Sequence, residues 1–145
     1  NKKLGFVGKP KKIEINILED MITKGFVPII TPMGLDFKGQ AYNINADIAA
    51  GALARSLRSR RLLVVTDVEG VLDENNKLIT EINTAQTKKM INDGTIHGGM
   101  IPKIKTCIGA INHGVRGVVI IDGRKPHSIL FELFSDKGAG TLIRE

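Results

Sequence analysis

The stretch Y-N-I-N-A-D (residues 42–47) runs directly into I-A-A-G-A-L-A (residues 48–54), so polar side chains stand where an extended segment becomes a helix. Asn45 is suited to cap that helix, because its side-chain oxygen can accept a hydrogen bond from a free amide of the first turn. Asp47 falls in the same turn, at the positive end of the helix dipole. Such a cluster can handle an anion, although six residues alone favour a plain helix cap.

The composition is that of one globular domain. The 145 residues are 42% hydrophobic and 25% charged, which is ordinary for a soluble protein. Cys107 is the only cysteine, which excludes a disulfide framework and favours a reducing compartment. No apolar run approaches the roughly 20 residues that span a bilayer, so no membrane partner is expected.

The chain has a net charge of +6. Its one visible cluster of basic residues comprises Arg55, Arg58, Arg60 and Arg61. These residues follow a predicted helix, where cations complement the C-terminal end of the dipole. With one tyrosine and no tryptophan, the chain has few aromatic platforms for stacking bases. We therefore expect no nucleic-acid partner.

Helices alternate with apolar strands along the chain, which indicates an α/β fold with a largely parallel sheet covered on both faces. Residues 62–65 and 118–121 are apolar runs typical of buried strands. Asn16 and Glu19 have the spacing of a capping box, and residues 26–31 are interpreted as a short strand. Residues 73–77 are a predicted hairpin turn.

Three polar segments are expected at strand ends, and ligands of parallel sheets bind there. They are residues 43–47, 66–70 and 98–103. Lys103 follows a Gly-Gly turn and opens a predicted helix, a position that opposes the dipole unless an anion lies nearby. Phosphoryl transfer requires positive groups next to the phosphoryl oxygens, which carry negative charge. Lys103 could supply such a group, and Asp47 could hold it in place. An exposed lysine after a glycine turn is the alternative, and no Walker A motif is present.

Four motifs occur in order along the chain: Y-N-I-N-A-D (42–47), L-L-V-V-T-D-V-E-G-V-L-D (62–73), G-G-M-I-P-K (98–103) and the stretch from I-I-D-G-R-K-P-H (120–127) to G-A-G-T-L-I (138–143). Together they resemble the motifs of the N-acetylglutamate kinases, which belong to the amino-acid kinase family. The resemblance implies a three-layer αβα sandwich. It also implies transfer of the ATP γ-phosphoryl group to the side-chain carboxylate of N-acetyl-L-glutamate, in arginine biosynthesis, with Mg²⁺ held through the nucleotide phosphates and by no metal ligand of the chain.

The same resemblance assigns roles to individual residues. Asp47 is similar to the carboxylate that orients the catalytic lysines, and Lys103 to the lysine that stabilises the phosphoryl group in transit. Asn43, with Asn45 beside it, resembles the amide that holds acetylglutamate. The nucleotide-binding positions are Thr66, Asp67, Gly98, Gly99, Met100 and Lys103.

Near the C-terminus, His127, Glu132, Gly138 and Gly140 resemble the effector segment of arginine-inhibited members of the family. Glu132 could pair with a guanidinium, and the glycine backbone could receive the α-carboxylate and ammonium. The residues alone favour a capped helix and a glycine turn. The resemblance makes L-arginine the expected feedback inhibitor.

The resemblance covers one lobe of the enzyme. Residues 1–145 are expected to form a single domain similar to the C-terminal ATP-binding lobe, with the N-terminal substrate lobe absent and little activity alone. A homo-oligomeric enzyme, a PII signalling partner, and a cytoplasmic or plastid-stroma location are further expectations. Glutamate 5-kinase, aspartokinase and a non-catalytic arginine-binding module are the alternatives.

Overall fold

The computed structural model describes residues 5–145. Within that range the strands are β1 (Val7–Gly8), β2 (Met33–Leu35), β3 (Ala41–Ile44), β4 (Leu62–Thr66), β5 (Glu81–Asn83), β6 (Val118–Asp122) and β7 (Gly140–Arg144). The helices are α1 (Ile15–Thr23), α2 (Ala46–Ser56), α3 (Thr84–Asn92), α4 (Met100–Ile111) and α5 (Ser128–Phe134).

The described strands form two sheets. The larger sheet has the order β4-β6-β7-β5, in which β4 pairs parallel with β6 and β5 parallel with β7, while β6 and β7 are antiparallel. The smaller sheet has the order β1-β3-β2, with β1 parallel and β2 antiparallel to β3. Strand β3 of the smaller sheet leads directly into α2, since it ends two residues before that helix begins.

Helices cover both faces of the larger sheet. All five residues of β6 are buried, and its side chains alternate between faces. Val118 and Ile120 belong to the core cluster that contains Ile104, Cys107 and Ile111 of α4, which covers one face of the sheet. Helix α5 packs on β6 with no residue in that cluster, and so covers the other face. The expected three-layer α/β class with a mostly parallel sheet is therefore confirmed.

Two local predictions are wrong. Helix α1 begins at Ile15 with Glu14 as its N-cap and no side-chain cap bond, so Asn16 lies inside the helix and cannot form a box with Glu19. Residues 26–31 form no strand, because Pro28 has no amide to donate and no neighbouring strand pairs with them. The capping box in the described chain is formed instead by Asn83 and Gln86 at the start of α3.

Residues 5–40 keep much of their apolar surface in solvent. Helix α1 has no buried residue, and large side chains are exposed at Phe26, Val27, Ile29 and Phe37. The core therefore lies between the larger sheet and helices α2–α4. None of the described helices has the length and apolarity needed to cross a membrane.

Candidate functional site

The carboxyl ends of β4 and β6 and the N-termini of α2 and α4 meet at one side of the sheet, which we call the carboxyl edge. Helix α2 leads into β4 and α4 leads into β6 through short loops, and the two strands are parallel. Each helix therefore runs back along the sheet and begins where the strands end. This arrangement gathers helix N-termini and strand ends, as in ligand-binding α/β proteins.

Asp47 and Lys103 form an ion pair at the carboxyl edge. The Nζ of Lys103 donates a hydrogen bond to Oδ2 of Asp47 at 3.0 Å, and about a quarter of each side chain is exposed (26% and 27%). The contact expected between these residues is thus present across 56 positions of sequence. Their catalytic roles stay predictions.

A close approach of α2 to α4 sets the geometry of this pair. A Cβ added to Gly51 would lie 3.0 Å from Cγ2 of Thr106, closer than carbon atoms pack comfortably. Gly51 is one turn after Asp47, and Thr106 is one turn after Lys103. The missing side chain at Gly51 therefore lets the helices approach until Asp47 reaches Lys103.

The turn before α4 leaves open space beside the ion pair. Gly98 has a φ of +58° and Gly99 is the N-cap of α4, and a Cβ added to either residue would meet nothing within 4 Å. No acidic residue lies in the first turn of α4 and no side chain caps it. Together with Lys103, the backbone amides of this turn offer positive potential to an anion.

Thr66 and Asp67 lie at the end of β4, as predicted, and the hydroxyl of Thr66 donates to Oδ1 of Asp67 at 3.1 Å. The carbonyl of Thr66 accepts a hydrogen bond from the amide of Gly123 at 2.7 Å. The start of the loop that follows β4 is therefore fixed to the end of β6.

An ion network beside this loop was missed by the sequence analysis. Asp122, only 2% exposed at the end of β6, accepts bonds from Nε and Nη2 of Arg124, each at 2.9 Å. These side-chain bonds, with the Arg124 amide, lower the pKa of Asp122 to about 2. Lys125 pairs with Glu69 at 3.0 Å. The signal available in the sequence was a carboxylate ending a fully apolar strand and followed two residues later by arginine.

The two predicted substrate amides lie on either side of the end of β3. Asn43 is exposed within β3, and its backbone amide donates to the carbonyl of Phe6 at 2.8 Å. The side-chain oxygen of Asn45 accepts from the amide of Ile48 at 3.2 Å, so Asn45 is the predicted helix cap. Their roles in binding substrate stay predictions.

A separate cavity of about 250 Å³ lies near the C-terminus and contains three of the four predicted effector residues: Glu132, Gly138 and Gly140. The carboxylate of Glu132 is buried, accepts from the Ala139 amide at 2.9 Å and pairs with Arg61 at 3.2 Å. His127 is the N-cap of α5 with a φ of +59° and does not line this cavity.

The fold and the carboxyl edge define an α/β protein with a cationic helix start that is suited to phosphate. The family model described as the amino acid kinase family matches residues 1–122. The chain belongs to the amino acid kinase family.

Two curated relatives of the chain share the name acetylglutamate kinase. The chain is 56% identical over its full 145 residues to acetylglutamate kinase from Pelagibacter ubique, of which it covers 50%. It is 51% identical over 142 residues, 98% of the chain, to acetylglutamate kinase from Rhodopseudomonas palustris, of which it covers 48%. The chain thus spans about half the length of the curated relatives it matches.

Among solved structures, N-acetylglutamate synthase from Neisseria gonorrhoeae, in complex with coenzyme A and L-arginine, superposes with a TM-score of 0.90 at 24% identity. The match covers 96% of this chain and 32% of that protein. At this identity the likeness establishes the fold alone.

Proposed function

We propose that the chain forms the nucleotide-binding half of an acetylglutamate kinase, which transfers the ATP γ-phosphoryl group to the side-chain carboxylate of N-acetyl-L-glutamate. The observation that carries the proposal is the Asp47–Lys103 ion pair at the start of α4, in a chain 56% identical to a relative of that name. Glutamate 5-kinase and aspartokinase are the alternatives within the family.

The residues of the carboxyl edge fit a nucleoside triphosphate. The open amides of Gly98 and Gly99 would receive phosphate oxygens, and the ammonium of Lys103 would neutralise charge that develops on the transferred group. Asp47 would keep the flexible lysine side chain aimed at that position. Thr66 and Asp67 would lie beside the nucleoside.

Mg²⁺ would be bound through the phosphates. Mg²⁺ commonly uses substrate phosphates with few protein ligands. Asn43 would hold the acetylglutamate carboxylate, with Asn45 beside it.

The activity test uses a chimera in which this chain replaces the matching half of the Pelagibacter ubique enzyme. We expect ADP release with N-acetyl-L-glutamate and none above background with glutamate or aspartate. We expect the 145-residue chain alone to bind ATP but to show no turnover, because residues equivalent to the other half of the relatives are needed to hold the acceptor. Absence of ADP release from the chimera with N-acetyl-L-glutamate would contradict the proposal.

Lys103 and Lys105 provide a matched pair of variants on α4. Lys103 touches Asp47, whereas Lys105 is exposed on the same helix. Removal of one electrostatic donor to a transition state costs about 100-fold to 1,000-fold in rate, so we expect Lys103→Met to lower kcat of the chimera by that order. Lys105→Met removes the same charge and should retain kcat. Equal effects of the two changes would contradict the assignment of Lys103.

We further propose that L-arginine binds in the C-terminal cavity. The buried carboxylate of Glu132 pairs with one guanidinium, that of Arg61, and this pairing supports a guanidinium as its ligand. Titration calorimetry should detect L-arginine binding to the chain, and Glu132→Gln should weaken it, while a change at the exposed Glu74 should not. Arginine binding without ATP binding would favour the non-catalytic arginine-sensing module.

Three broader expectations belong to the same proposal. The relatives named above are bacterial, which favours a bacterial cytoplasm over a plastid stroma. A homo-oligomeric whole enzyme and contact with a PII signalling protein stay predictions.

A further inference from the structure

Thr141 is a buried polar residue of β7 that lies outside the candidate site. Its side chain is 0% exposed. Its Oγ1 accepts a hydrogen bond from the amide of Val71 at 2.8 Å and donates one to the carbonyl of Ile79 at 2.6 Å. One hydroxyl therefore satisfies two backbone groups at the base of the 71–79 hairpin, from a strand 70 positions away.

The loop at residues 66–70 ends against this hydroxyl. Gly70 has a φ of +143°, and a Cβ added there would lie 2.5 Å from Oγ1 of Thr141. Val71 is 1% exposed, so its amide has no water to replace the threonine. At its other end, the loop is fixed by the bond from Gly123 to the Thr66 carbonyl.

We propose that Thr141 is a positioning residue, which holds loop 66–70 in the conformation that binds the nucleotide. The loop is short, and its backbone is fixed at two points, to Gly123 just after β6 and to Thr141 of β7. The half-exposed pair of Glu69 with Lys125 adds a contact of the side chain only. Removal of the second point leaves the buried amide of Val71 without an acceptor, and that cost is relieved when the loop moves away from β7. A loop that occupies its binding conformation for less of the time binds more weakly in proportion.

The proposal rests on the nucleotide site proposed above, so its test has one readout that needs no nucleotide. Thr141→Val keeps the side-chain shape and removes both hydrogen bonds, whereas Thr141→Ser keeps the hydroxyl. Thr87→Val is the matched control, because Thr87 is also 0% exposed and its Oγ1 donates to the Asn83 carbonyl at 2.6 Å, away from the loop. Thr141→Cys, whose thiol bonds weakly, serves if the valine variant does not fold.

The first readout is amide hydrogen exchange of residues 66–71 in the 145-residue chain, and the second is the Kd for ATP with Mg²⁺. We expect Thr141→Val to speed exchange of the loop and to raise the Kd by about threefold to tenfold, with Thr87→Val and Thr141→Ser close to wild type. Loop exchange no faster than in Thr87→Val, or an unchanged Kd, would overturn the role of Thr141. Absence of ATP binding by the wild-type chain would instead overturn the nucleotide site, while exchange would still report whether Thr141 holds the loop.

Discussion

A methyl group at Gly51 should separate the stability of the chain from the activity of its site. The added Cβ of Gly51→Ala would lie 3.0 Å from Cγ2 of Thr106, and carbon atoms prefer about 3.5–4.0 Å. Thr106 must therefore give way by a few tenths of an ångström. Because its hydroxyl is bonded to the Pro102 carbonyl, we expect helices α2 and α4 to move apart by that distance. The Asp47–Lys103 bond lies one turn away at 3.0 Å, so the same movement takes it beyond the roughly 3.2 Å limit of a good hydrogen bond.

Two opposing terms set the expected stability of Gly51→Ala. Alanine in a helix interior is favoured over glycine by about 1 kcal/mol, and the forced movement of α4 costs an amount of similar order. We therefore expect the free energy of unfolding in urea to change by less than about 1 kcal/mol. We expect kcat of the chimera to fall by about tenfold, because Lys103 is no longer held by a charge-assisted hydrogen bond.

The chain supplies both a control and a rescue for this experiment. Gly109 lies in α4, and a Cβ added there meets nothing within 4 Å, so Gly109→Ala should stabilise the chain by about 1 kcal/mol and leave kcat unchanged. Thr106→Ser removes Cγ2 but keeps the hydroxyl that donates to the Pro102 carbonyl at 3.1 Å. Combined with Gly51→Ala, it should restore most of the activity. Retention of full kcat by Gly51→Ala, or no rescue, would refute the link between helix spacing and the ion pair.

Three further predictions concern Cys107, Asp122 and Arg58. Burial raises the pKa of the Cys107 thiol to about 12, so at pH 8 a thiol reagent should label it only as fast as the chain unfolds; immediate labelling of the native chain would contradict this. The pKa of Asp122 is lowered to about 2, chiefly by its hydrogen bonds to Arg124; its stabilising effect should be present above about pH 4 and be lost as the pH falls toward 2. Between about pH 4 and about pH 2, the free energy of unfolding in urea should fall less for Asp122→Asn than for the wild type. Parallel curves for the two proteins would oppose the assignment. Arg58 has a φ of +47° after α2, so Arg58→Gly should stabilise by about 1 kcal/mol in thermal unfolding; no gain would show that the backbone is unstrained.

The elements that could be predicted from the sequence are those with local causes. The cap formed by Asn45, the hairpin turn at residues 73–77 and the buried strand β6 each follow from neighbouring residue types. The contact between Asp47 and Lys103 also followed, because helices that precede parallel strands begin at the same edge. Residues 26–31 failed as a strand because an apolar run needs a partner strand, and local sequence does not show whether one exists.

The contacts that could not be predicted join distant residues with no periodic signal. Arg61 and Glu132 are 71 positions apart, and Thr141 reaches Val71 across 70. Each contact forms only because α5 and β7 pack next to segments that lie far earlier in the sequence. Threonine in a strand is ordinary, so nothing in its local sequence marks Thr141 as the acceptor for a buried amide.

The position of Lys103 is the part of the site that most needs a physical reason. A cation in the first turn of α4 is repelled by the helix dipole, and α2 brings a second positive helix end to the same edge. Asp47 offsets the positive end of α2, because it lies in the first turn of that helix. It also offsets the repulsion of Lys103 by the dipole of α4, because it accepts the hydrogen bond from Lys103. A polyphosphate placed against the Gly98–Gly99 turn would be attracted both by the positive end of the α4 dipole and by the ammonium of Lys103. The same arrangement thus keeps the lysine in place without ligand and makes the edge more favourable for an anion than either helix start alone.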